Sequence, residues 1–213
     1  MPRPFLLCLA ALWISPSTLL AEEFVTNARP IFDGKTMAGW EGNPKWFRID
    51  AGALVAGSLK EKIPHNEFLC TERQYGDFDL RLEAKLIGQG KNAGVQFRSQ
   101  RIPDDTELIG YQADIGTMKD QSIWGALYDE SRRRVFLAHD PKASGDATKD
   151  GWNKIRLLCQ GPRIQIFVNG KRTVDYTETD DAIPLKGIIG LQIHSGAPAE
   201  AWYRNIRIAE LSQ

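Results

Sequence analysis

Beyond residue 22 the chain consists of short runs of alternating apolar and polar residues, broken every few positions by glycine or polar clusters, with scarcely any helix-period segment. Alternation with a period of two marks a strand whose faces see different surroundings. In FDLRLEAKLIG, Phe78, Leu80, Leu82, Ala84 and Leu86 fall on one parity. AGVQFRSQ, IGYQADIG, NKIRLLCQ and IIGLQIH repeat the pattern, and RIQIFVNGKRTVDYT reads as a hairpin whose Asn169–Gly170 pair suits a type I′ turn. An open antiparallel sheet cannot cover its own apolar face. The pattern therefore predicts an all-β fold, a two-sheet antiparallel sandwich of jelly-roll type. Parity puts Leu80, Leu82, Val95, Phe97, Ile164, Ile166, Leu191 and Ile193 between the sheets. The segment 139–152, HDPKASGDATKDGW, reads as a polar loop, a surface excursion or part of a rim. With no repeat, linker or change of composition, residues 22–213 form one domain.

Lys plus Arg and Asp plus Glu each number 27, so no global charge draws the chain to nucleic acid. Residues 1–21 carry Arg3, an apolar stretch Phe5–Ile14 and a small Ala21 before two acids, the order of a secretory signal peptide. The other reading is a membrane anchor, for which the apolar run is shorter than the roughly 20 residues a bilayer requires. The expectation is therefore an exported protein, secreted or periplasmic, with no stable membrane insertion once the signal is removed. That leaves Cys70 and Cys159, either a pair or two separately buried thiols.

Three strands point to a site. Gln96 and Arg98 share a parity, as do Gln112 and Asp114, and Gln192 and His194. Wet sheet faces usually carry Lys, Glu and Thr, whereas this set supplies donors, acceptors and titratable members together. Glycines 94, 110, 116, 125 and 190 lie in or beside these runs, where a missing side chain lets a ligand or a backbone approach. The combination suits a sugar, with Trp124 and Tyr128 available to stack on its C–H face. The same alternation is also what a plain solvated sheet face produces. Spacing supports no histidine-based metal centre, although Asp114 and His194 have the chemistry to contribute to a divalent-metal site, so cofactor and metal stay open.

Phe32–Trp40, FDGKTMAGW, resembles the N-terminal signature FDGKTLxGW of the 3-keto-disaccharide hydrolase domain family. The resemblance continues through NAGVQFRS, GYQADIG, WGALYD, VNGK, GIIGLQIHSG and YRNIRI, nearly the whole mature chain. It implies a concanavalin-like, laminin-G-like jelly roll and cleavage of 3-keto-glycosides. A ketone at C3 acidifies the C2 proton, so one base can remove it and expel the C1 substituent, with hydration completing net hydrolysis. His194 or Asp114 is then the base, titrating nominally at about 6.5 for a histidine and lower for an aspartate. Arg98 with Gln112 or Gln192 would stabilise the enolate, and Gln96, Tyr111, Trp124 and Tyr128 would complete the sugar site. The family's usual GYE is Gly110–Tyr111–Gln112 here, which removes a carboxylate and keeps a non-catalytic carbohydrate-binding module as the alternative. FDGKT and YRNIRI are expected to be strand or strand-adjacent, and neighbours.

Overall fold

The computed structural model describes residues 28–212, so the segment 1–21 assigned to export lies outside the described residues. In chain order the elements are β1 (Arg29–Pro30), β2 (Trp40–Glu41), β3 (Phe47–Asp50), β4 (Ala53–Ser58), β5 (Glu67–Thr71), β6 (Phe78–Gly88), β7 (Asn92–Arg101), β8 (Leu108–Met118), β9 (Gln121–Ser122), β10 (Leu127–Glu130), β11 (Phe136–Ala138), α1 (Pro141–Ala147), β12 (Asn153–Gln160), β13 (Arg163–Val168), β14 (Lys171–Thr177), β15 (Ile188–Ile193) and β16 (Ala199–Glu210). They form two antiparallel sheets. The first runs β14-β13-β12-β6-β16-β4-β3 with β1 on β16, and the second β11-β10-β8-β7-β15-β5-β2 with β9 on β8.

The alternation predicted from the sequence fills the space between them. Leu80, Leu82, Val95, Phe97, Ile164, Ile166, Leu191 and Ile193 are all buried in one apolar cluster. Asn169 and Gly170 both have positive φ, at 49° and 83°, as a type I′ turn requires. The chain ends meet: β1 pairs with Ile208 and Arg207 of β16, and FDGKT follows as a turn in which Asp33 Oδ1 accepts from the amides of Lys35 and Thr36. The predicted polar loop needs correcting, because it contains helix α1. Asp140 caps it by accepting from the amides of Lys142 and Ala143, and Pro141 supplies the preset φ of a first turn.

One departure from the regular sandwich shapes everything that follows. The β7–β8 register shifts between Phe97 and Gln100, where Arg98 has φ of 48° and Gly110, on the facing strand, has φ of 153°. A Cβ at Gly110 would collide with Ser99, so the close approach there requires glycine. Beyond this bend the hairpin 99–110 folds back over the outer face of its own sheet. Leu108 packs with Phe68, Cys70 and Ile188 in a second, separate apolar cluster, and a methyl group at Gly190 would come within 2.8 Å of its Cδ1. Arg101 Nε donates to Glu41 Oε1 at 2.7 Å beside β2, and Asn66 Nδ2 donates to Glu107 Oε1 at 2.9 Å beside β5. The hairpin is thus a roof pinned on both sides.

Candidate active site

The outer face of the second sheet is organised in rows set by strand register. Gln192, Gly94 and Asp114 stand abreast on β15, β7 and β8, and the next row holds Cys70, Gly190, Gln96, Gln112 and Tyr128. His194, just past β15, donates its backbone amide to Asn92 O and so begins the row beyond. Adjacent strands lie about 4.8 Å apart, so the Gln192–Gly94–Asp114 row spans a width comparable to a sugar ring and its substituents.

Under the roof these side chains are buried without being satisfied. Gln192 is 0% exposed, yet neither its Nε2 nor its Oε1 has a hydrogen-bond partner, and Gln96 Nε2, Gln112 Oε1, Asn92 Oδ1 and Glu107 Oε2 are likewise unpaired. Buried polar atoms are rarely left so, because each unmet bond costs about 1–3 kcal/mol. Their concentration on one face is therefore a functional sign. From the core side, Tyr203 of β16 reaches across the sandwich, its hydroxyl 2.6 Å from Gln192 O and 3.1 Å from Gly94 O, and holds the floor strands in place.

Asp114 and Glu130 differ from the carboxylates of the first sheet. On the first, the buried carboxylate of Asp79 is held by Arg81 and Arg156, Glu83 by Arg204 and Glu200 by Arg48. On the second, Asp114 and Glu130 have no cation paired with them among the described residues. Burial pushes Asp114 up to about 8, against a hydrogen bond from Gln112 Nε2 to its Oδ1 at 2.7 Å. Burial, with Glu107 adding like charge, pushes Glu130 up to about 7. Asp114 therefore holds its proton to higher pH than a free aspartate does. His194 Nδ1 lies 2.8 Å from Ser195 O, and since a carbonyl only accepts, Nδ1 carries a hydrogen, which in the neutral ring leaves the lone pair on Nε2.

A stability prediction follows for Asp114. Its carboxyl titrates near 4 when unfolded and about 8 when folded, so between those values the native state binds more protons than the unfolded state. Stability attributable to this group is present below pH 4 and is lost as pH rises towards 8. Asp114→Asn should flatten that decline in urea unfolding at pH 5 and pH 8. An unchanged slope would show that Asp114 is already ionised.

The structure gathers Gln96, Gln112, Asp114, Tyr128, Gln192 and His194 on one face and removes three residues from the predicted set. Arg98 does not share that face with Gln96. Its left-handed φ at the bulge turns the guanidinium to the end of the sandwich, where Nε donates to Gly76 O at 3.0 Å, Nη1 to Gly161 O at 2.8 Å and Nη2 to Asp77 Oδ1 at 2.8 Å. Tyr111 faces the core, stacked on Phe97 at 5.7 Å, with its hydroxyl donating to Glu178 Oε2 at 2.6 Å. Trp124 packs in the main core and lines a separate groove of about 450 Å³ with Gly116, Ser122 and Lys149. Cys70 and Cys159 are separate buried thiols, each pushed up to about 12 by burial.

Sequence reasoning missed Asn66, Asn92, Glu107 and Glu130. Glu130 was within reach, since it shares the parity of Tyr128 in LYDE, and Asn92 that of Gln96. Asn66 and Glu107 lie outside any alternating run and left no signal. Among the described residues no group of three or more His, Cys, Asp or Glu side chains could hold a metal ion.

A two-sheet antiparallel sandwich of this kind is a jelly roll. The chain belongs to the family of 3-keto-alpha-glucoside-1,2-lyase-like domains, matched over residues 27–209. No curated protein sequence matches it. Among solved structures it resembles two proteins of Parabacteroides distasonis ATCC 8503 that are provisionally named glycosyl hydrolases. One is 23% identical with a TM-score of 0.62, covering 86% of this chain and 99% of that one; the other is 17% identical with a TM-score of 0.64, covering 90% and 97%. It also resembles a carbohydrate binding module from Bacillus subtilis at 15% identity and a TM-score of 0.58, covering 79% and 93%. At these identities the likeness establishes the fold, while family membership ties the chain to carbohydrate chemistry.

Proposed function

We propose that the chain is an exported enzyme that cleaves 3-keto-glycosides, such as 3-keto-disaccharides, by abstracting the C2 proton and eliminating the C1 substituent, with hydration completing net hydrolysis. The observation that carries this reading is the floor of buried, unpartnered amides on the face that also holds Asp114, whose carboxyl burial raises, and His194. An elimination of this type needs one base and a donor for the enolate oxygen. His194 Nε2 takes the C2 proton. Asp114, kept neutral by burial, donates to the oxygen at C3 as negative charge develops there, the role in which a protonated carboxylic acid is effective. Gln192, Gln112 and Gln96 hold the hydroxyls, and Tyr128, T-stacked on Phe136 at 5.2 Å, forms the side wall. Export rests on the signal-like residues 1–21.

Purified protein incubated with a 3-keto-disaccharide should release both sugars and, in heavy water, exchange the C2 proton. Its rate should fall as pH rises through about 8, when the Asp114 proton is lost. No cleavage above a buffer blank, with or without divalent metal, overturns the reading. The amide of Gln112, where the family resemblance places a carboxylate, favours the other reading, a non-catalytic module. Such a module would bind unoxidised glycans in calorimetry and leave keto-sugars intact.

A further inference from the structure

The roof hairpin and the proposed base are joined by a continuous set of hydrogen bonds that the reaction described above does not use. Glu107, at the return end of the hairpin, accepts from Asn66 Nδ2 at 2.9 Å. Asn66 Oδ1 accepts from the backbone amide of Ser195 at 2.9 Å. The carbonyl of the same residue, Ser195, accepts from His194 Nδ1 at 2.8 Å. The amide orientation of Asn66 is fixed by chemistry, since a backbone N–H can only donate and an ionised carboxylate can only accept. The segment is braced a second time, because Ile63 and Gly196 exchange backbone hydrogen bonds of 3.1 Å and 2.9 Å on the other side of Ser195.

We propose that Asn66 and Glu107 are positioning residues that couple closure of the 99–110 hairpin to the tautomer and orientation of His194. The inference rests on the reading of His194 as the base. The Ser195 carbonyl selects the tautomer, because it accepts only if Nδ1 carries the hydrogen, and that leaves Nε2 as the free base. Asn66 grips the amide of the His194–Ser195 peptide, and the Gly196 amide bonded to Ile63 O holds the next peptide plane, which carries the Ser195 carbonyl, so the two bonds together fix where it points. Glu107 sets Asn66, and Glu107 occupies its place only when the hairpin lies over the face, with Leu108 seated on Phe68, Cys70 and Ile188. A sugar bound beneath the roof would therefore meet a correctly tautomeric imidazole, whereas an open hairpin would release the ring. The remaining oxygen of Glu107, Oε2, is buried and unpaired. Burial, with Asp105 adding like charge, raises the Glu107 carboxyl above its ordinary value, against the hydrogen bond from Asn66 and the charges of His194 and Arg134.

The test is a polarity swap. Asn66→Asp keeps the acceptor for Ser195 but sets two carboxylates against each other, and adding Glu107→Gln restores a donor–acceptor pair in reverse. Both variants and wild type are assayed on a 3-keto-disaccharide for kcat, KM and C2 deuterium exchange, with thermal unfolding measured alongside. We expect Asn66→Asp to lower kcat and exchange together by about tenfold to a hundredfold, the size of a misplaced catalytic group, while KM changes little. The double variant should recover most of the loss. A double variant no faster than Asn66→Asp, or a loss confined to KM or matched by a fall in Tm, overturns the coupling while leaving His194 as base. Wild-type protein that neither exchanges nor cleaves overturns the base assignment, and the coupling with it.

Discussion

His194→Gln is expected to lower kcat/KM on a 3-keto-glycoside by about two to four orders of magnitude, as the loss of a general base typically does. Glutamine has similar reach and polarity but cannot take a proton at neutral pH, so C2 deuterium exchange should fall with turnover. Binding should survive, because the amides of Gln96, Gln112 and Gln192 stand on other positions of the floor and are untouched. The acid limb of the pH–rate profile, where protonation of the imidazole abolishes the base, should vanish in the variant. The fall above about pH 8 should remain, since it belongs to Asp114. A variant with near-normal rate and an unchanged acid limb would return His194 to a structural role.

Arg98→Ala is expected to cost about 3–5 kcal/mol of stability, the usual result of removing one partner of a buried ion pair. Arg98 is 2% exposed, and its guanidinium serves three acceptors on two separate turns of the other sheet, Gly76–Asp77 before β6 and Gly161 after β12. It therefore fastens the bend of β7 to the opposite layer. Arg98→Lys should recover only part of the loss, because an ammonium is a point charge and does not reproduce the planar fork. Urea unfolding should show a lower midpoint with the slope preserved. Protein that remains folded should keep its kcat. An Arg98→Lys variant of normal stability and lost turnover would restore Arg98 to the catalytic set.

The pairing of Arg98 with Gln96 shows where parity reasoning holds and where it ends. Gln112 with Asp114 lies within unbroken β8, so the period of two carries its side chains to one face. Gln192 and His194 obey the same rule as β15 runs out into its loop. Arg98 lies at a register shift, and a single residue of bulge reverses the face of whatever stands there. The resemblance implies Tyr111 for the site and residue type suggests Trp124, but both are core residues. The expected limb for Asp114 also moved. A free aspartate titrates low, and only burial beneath the roof carries it to about 8.

By itself the sequence determined the sandwich, its buried residues, the Asn169–Gly170 turn, the family and most of the polar floor. Each of these depends on local alternation or a short contiguous motif, which the pleat of a strand converts directly into facing. Only the tertiary structure decided that the 99–110 hairpin folds back as a roof, that Asn66 and Glu107 meet beside the His194–Ser195 segment, and that burial raises Asp114. These are consequences of long-range packing and of the dielectric it creates. Asn66 and Glu107 are 41 positions apart, and no period in the sequence relates them.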